Sequence, residues 1–98
     1  MFLAKVLGTV VASQKHPKFQ GMKMLLIQPY ITKDKALVPQ GSSIVAVDSV
    51  NCGIDDFIMF TQGSSARMTE FTKDSPVDAV IIGIVDSVEA EGKILKKP

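Results

Sequence analysis

The run Ala79-Val80-Ile81-Ile82-Gly83-Ile84-Val85, closed off by Asp78 and Asp86, carries branched aliphatic side chains at odd and even positions alike. Successive side chains of a strand point to opposite faces, so this segment puts apolar surface on both. It cannot lie on an open sheet with one wet face, because each side needs cover. The first segment has the same property: Phe2, Ala4, Val6, Gly8, Val10 and Ala12 alternate with Leu3, Lys5, Leu7, Thr9 and Val11. Two-faced strands in a short chain point to a small closed or partly closed barrel, which has one face inside and one outside. Val80, Ile82 and Ile84 fall together in one of those two layers.

Length restricts the rest. Ninety-eight residues make one domain, and a chain of that size buries about 65% of its unfolded surface. With no Trp and 6% aromatics, the core has to come from Val, Ile, Leu, Met and Ala. Small cores of this kind gain stability from partners. A net charge of +1 provides no electrostatic footprint for nucleic acid or for an anionic membrane. The single cysteine, Cys52, excludes an internal disulfide and suits a reducing cytosol. No apolar run reaches the length of a membrane span, and no signal peptide is apparent, so a soluble, untargeted chain is expected.

Along the chain the pattern predicts a strand over Phe2 to Ala12, curved at Gly8, a turn over Ser13 to Gly21, and a second strand over Met22 to Gln28. Thr32 to Gly41 is polar, contains Pro39, and reads as a loop. Ser43 to Val50 and Phe57 to Thr61 read as strands around a tight Asn51-Cys52-Gly53 corner. Gly63 to Phe71 reads as one or two helical turns capped by Ser64 or Ser65. Val77 to Val88 is the longest predicted strand, and Gly92 to Pro98 is either a short edge strand or part of a mobile tail over residues 91–98. The expected fold is therefore all-β: a small five-stranded barrel of the oligonucleotide-binding type with one short helix between strands four and five.

Few residues offer chemistry. Asp48 and Asp78 sit among aliphatic neighbours, so each should accept hydrogen bonds or meet a cation, with Arg67 as the obvious partner. The same three residues would serve a small enzyme only if a deep cleft held them, and a short barrel hardly supplies one. Arg67 beside Ser64 and Ser65 suggests either an anion site at a helix start or a cap plus an interface arginine. A phosphate cradle normally supplies more glycines and a following lysine, which weighs for the cap. His16 lies between Lys15 and Pro17 with no second ligand in range, and Cys52 has no neighbouring base. No metal, cofactor or nucleophile is expected. A single-stranded nucleic-acid module is the rival reading for such a barrel, yet its second and third strands lack the aromatic platforms that stack bases.

Four segments together resemble one family. They are Lys5-Val6-Leu7-Gly8-Thr9-Val10-Val11-Ala12-Ser13-Gln14-Lys15, Ala46-Val47-Asp48-Ser49-Val50, Gly63-Ser64-Ser65-Ala66-Arg67, and Pro76 to Asp86. In these the chain is similar to the vertex proteins of bacterial microcompartments, the small shell subunits of carboxysomes and of ethanolamine- or propanediol-type organelles. The resemblance implies a homopentamer without enzymatic activity, placed in a cytoplasmic microcompartment shell and contacting hexameric shell proteins. It implies Gly63, Ser64 and Ser65 as the rim of a central pore, and Arg67, Asp48, Asp78 and Asp86 as interface positions. One departure is the corner Asn51-Cys52-Gly53-Ile54-Asp55-Asp56, where many members are rich in glycine and alanine and end in a Gly-Glu pair.

Overall fold

The computed structural model describes residues 1–12, 21–63 and 78–96. Its strands, in chain order, are β1 Phe2–Val10, β2 Lys23–Lys33, β3 Ala36–Pro39, β4 Ile44–Asp48, β5 Phe57–Gln62, β6 Ala79–Ile84, β7 Val88–Ala90 and β8 Lys93–Lys96. β1 pairs antiparallel with both β2 and β5, and β5 pairs antiparallel with β6. β6 lies parallel to β4, which returns antiparallel to β2. The circuit β1-β5-β6-β4-β2 thus closes on itself, giving the five-stranded barrel that two-faced strands require. No α-helix occurs among the described residues. The predicted helix over Gly63 to Phe71 lies outside them from residue 64 onward, as does the predicted turn over residues 13–20.

Inward side chains fill the barrel. Ala4, Val6, Leu25, Ile27, Ala46, Ile58, Phe60, Ala79 and Ile81 form one buried cluster that also takes in Cys52. The other face of the same strands carries a second layer, in which Val47 and Val80 are buried against Met22, Met24 and Ile82. Val80 and Ile82 therefore share the outer layer, as their spacing predicts, while Ile84 beyond them is exposed.

The expected bend in β1 is a β-bulge. The register passes from Val6↔Ile27 to Gly8↔Leu26, which leaves Leu7 as the extra residue. β2 is longer than the pattern suggests because it runs through Pro29. On one edge it pairs with β4 as far as Ile27, and from Tyr30 it pairs with β3. The Pro29 carbonyl accepts a hydrogen bond from Gln40 N–H on this same edge. A strand residue aims its N–H and C=O at the same neighbour, so the missing donor of the proline falls in the gap between the two partners.

Two expectations need correction. Thr32 to Gly41 is not a loop: its first residues complete β2, and Ala36–Pro39 pairs back on Tyr30 to Lys33. The reversal is made by Asp34 and Lys35, both with positive φ (52° and 61°), a hairpin geometry reached without glycine. Nor is Val77 to Val88 a single strand. β6 stops at Ile84, the Val85 N–H donates to the Phe57 carbonyl, and the chain bends before β7. β7 and β8 then form a separate two-stranded sheet turned by Glu91 and Gly92, again at positive φ.

Candidate assembly site

Asp48 ends β4 with its side chain buried, and its two oxygens organise the chain that follows. Oδ1 accepts from Val50 N–H and Oδ2 from Cys52 N–H, each at 2.9 Å. Lys23, the cross-strand neighbour of Asp48 on β2, brings its ammonium to 3.5 Å from Oδ2 and donates to the Cys52 carbonyl at 2.7 Å. Asp48 thus meets a cation and hydrogen-bond donors, as an aspartate among aliphatics must. These partners all lie within its own subunit.

The corner is completed by short-range bonds. Asn51 and Asp55 adopt positive φ (59° and 72°), a conformation that Asn and Asp tolerate better than most residues. Gly53 N–H donates to Asp56 Oδ2 at 2.7 Å, and Asp56 N–H donates back to the Gly53 carbonyl. The turn then docks on β1: Val6 N–H donates to the Asp56 carbonyl and Asp55 N–H donates to the Val6 carbonyl, both at 2.9 Å. Cys52 faces the core and is 1% exposed. Burial, reinforced by the Asp48 charge, pushes its thiol up to about 11. A thiol so placed fills space and is no nucleophile at neutral pH.

Ser49 fastens the parallel pair. Only Val47↔Val80 and Asp48↔Ile81 are in register between β4 and β6, and beyond them the Ser49 hydroxyl donates to the Ile81 carbonyl at 2.6 Å. Neither Ser49 nor Lys23 stands out as a site residue in the sequence. Both patterns are visible afterwards: a hydroxyl directly after a strand-ending aspartate, and a lysine directly before the apolar run Met24 to Ile27.

The other expected residues divide by position. Gly63 leaves β5 at φ 67° and donates its N–H to the Asp78 carbonyl at 2.8 Å, so the segment from 63 to 78 starts and ends at one point. Ser64, Ser65, Arg67 and His16 lie outside the described residues. Asp78 is exposed just before β6, and Asp86 is exposed past its far end. At strand rise the two acids are roughly 20 Å or more apart. They lie beyond opposite ends of β6. Several large apolar side chains are also exposed on the single subunit, among them Phe2, Leu7, Val45, Ile54, Ile84 and Ile94. Among the described residues, no three His, Cys, Asp or Glu groups converge as a metal site would require.

Comparison with known proteins supplies the context. The family described as "Ethanolamine utilisation protein EutN/carboxysome" matches residues 1–86. The chain is similar to the carboxysome shell vertex protein CcmL of Gloeobacter violaceus, 42% identical over 97% of this chain and 92% of that protein. It is also similar to the microcompartment shell vertex protein GrpN of Rhodospirillum rubrum, 40% identical over 91% and 97% of the two chains. The solved structure of Gloeobacter violaceus CcmL superposes with a TM-score of 0.87 at 40% identity, covering 99% of this chain and 97% of that one. The structure described as a GrpN pentameric microcompartment shell protein gives 0.78 at 40% identity, over 92% and 99%.

Proposed function

This chain belongs to the EutN/CcmL family, and from that premise we propose that it is a structural shell protein whose homopentamers cap the vertices of a bacterial microcompartment. The observation that carries this reading is near-full-length similarity to two differently named vertex proteins, one of them solved as a pentamer, on the same closed barrel. Its work is geometric and involves no turnover. A flat layer of six-fold tiles cannot close, and five-fold units at the corners introduce the missing curvature. The partners are four further copies of the chain and the hexameric shell proteins around the ring, inside the cytoplasm.

Within that ring, Gly63, Ser64 and Ser65 line the central opening. The hydrogen bond between Gly63 and Asp78 supports this, because it holds both ends of the intervening segment at one end of the barrel. Arg67, Asp78 and Asp86 meet the neighbouring subunit. Asp78 and Asp86 are exposed in the single subunit and so are open to such contacts. Asp48 acts from behind the surface, holding the corner that the neighbour meets. The apolar side chains exposed on one subunit are cover for the next.

The test is the mass in solution. Five times 10.6 kDa by native mass spectrometry and sedimentation is expected. A single-chain mass at micromolar concentration overturns the proposal.

A further inference from the structure

We infer that the β7–β8 hairpin is an inter-subunit arm, seating Ile94 of one copy in the groove formed by Lys5, Tyr30, Leu37, Asp55 and Phe57 on the next. The inference rests on the ring proposed above and specifies which two surfaces build it.

The arm has little cover in its own subunit: β8 touches β3, and Ala90 and Glu91 border the turn between β2 and β3. β7 and β8 pair only with each other, outside the barrel circuit, and a lone two-stranded hairpin is marginal in water. Ile94 is 55% exposed on it. A branched side chain left on so small a sheet gains most by entering an apolar recess. The groove provides one, with a volume of about 260 Å³. The rings of Tyr30 and Phe57 meet edge to face at 5.3 Å in its wall, with Leu37 beside them.

Charge selects the same pairing. Residues 93–98 contain three lysines and no acid, whereas Ile54-Asp55-Asp56 beside the groove contains two acids and no base. The acids of the arm, Glu89 and Glu91, sit in β7 and in the turn. Among the described residues Asp55 has one ion partner, Lys5 at 3.8 Å, with both side chains well exposed. Such a contact is weak and readily exchanged. Opposite charges around an apolar centre fix register between two surfaces. A ring closed head to tail also needs two unlike patches on every subunit, and a convex arm with a concave groove meets that need.

The experiment uses the full chain with Leu37→Cys and Ile94→Cys, oxidised under mild conditions, with the single substitutions as controls. Cys52 stays in place because its thiol is buried. If the arm reaches its neighbour, non-reducing gels show a ladder of linked chains up to five, absent from both controls. A pentameric mass without that ladder, or with a disulfide confined to one chain, overturns the arm while leaving the ring. A protein that stays single overturns both. Independently, Ile94→Asp, at an exposed position, should leave the barrel folded and raise the concentration for half-dissociation at least tenfold. An unchanged value refutes the contact.

Discussion

The Asp48 carboxylate and the Lys23 ammonium, direct cross-strand neighbours on β4 and β2, lie 3.5 Å apart with unequal surroundings: the Asp48 side chain is fully buried, while that of Lys23 is 43% exposed. The corner from Ser49 to Asp56 hangs on this pair, since the aspartate accepts from two of its N–H groups and the lysine donates to one of its carbonyls.

Asp48→Ala should therefore be the more damaging change, because it strands two backbone donors at once. A loss of about 2–4 kcal/mol is expected, against about 1–2 kcal/mol for Lys23→Met, which removes the donor to the Cys52 carbonyl but leaves Asp48 its two N–H donors. Urea unfolding of the two variants measures the order. A larger loss for Lys23→Met would show that the ammonium, and not the carboxylate, anchors the corner.

The Cys52 thiol titrates at about 11 in the folded chain, above its ordinary value of 9.0. A raised value means that the folded state holds the proton more tightly. The associated stability is intact below pH 9 and declines as pH rises towards 11. Unfolding midpoints of the native protein and of Cys52→Ala, followed across that window, should diverge in slope. Parallel curves would contradict the assignment.

Gly63 and Gly83 look alike in sequence but not in backbone. Among the described residues a Cβ at Gly63 meets nothing, yet its φ of 67° is costly for any other residue, and Gly63→Ala should lose about 1–2 kcal/mol. At Gly83 the added Cβ sits 3.0 Å from the mobile end of Met59, which can move aside, so Gly83→Ala should cost under about 1 kcal/mol. Thermal melts of the two variants decide the ranking.

Arg67→Ala should abolish the pentamer and keep the barrel. Circular dichroism reports the fold and sedimentation the mass. A ring that survives the substitution would remove Arg67 from the subunit contact.

Much of the barrel was legible because alternation is a strong signal when both faces are apolar, as in β1 and β6. The β2–β3 hairpin was not. Its turn uses Asp34 and Lys35 at positive φ where glycine is the usual marker, and Pro39 ends an edge strand where it reads as a loop breaker. The break after Ile84 was hidden for the opposite reason: Val85 continues the aliphatic run, but its N–H is taken by Phe57 and the pairing stops. Among the candidate site residues, the demand of Asp48 for partners was readable from its apolar neighbours. That the cation would be Lys23 was not, since register between distant strands is a tertiary fact.

The parallel contact of β4 with β6, two residue pairs long and stitched by the Ser49 hydroxyl, is the shortest seam of the cylinder. A hoop parts at its shortest weld. Amide exchange should accordingly begin there, and losing one oxygen atom at Ser49 would let the wall breathe without altering a single core side chain.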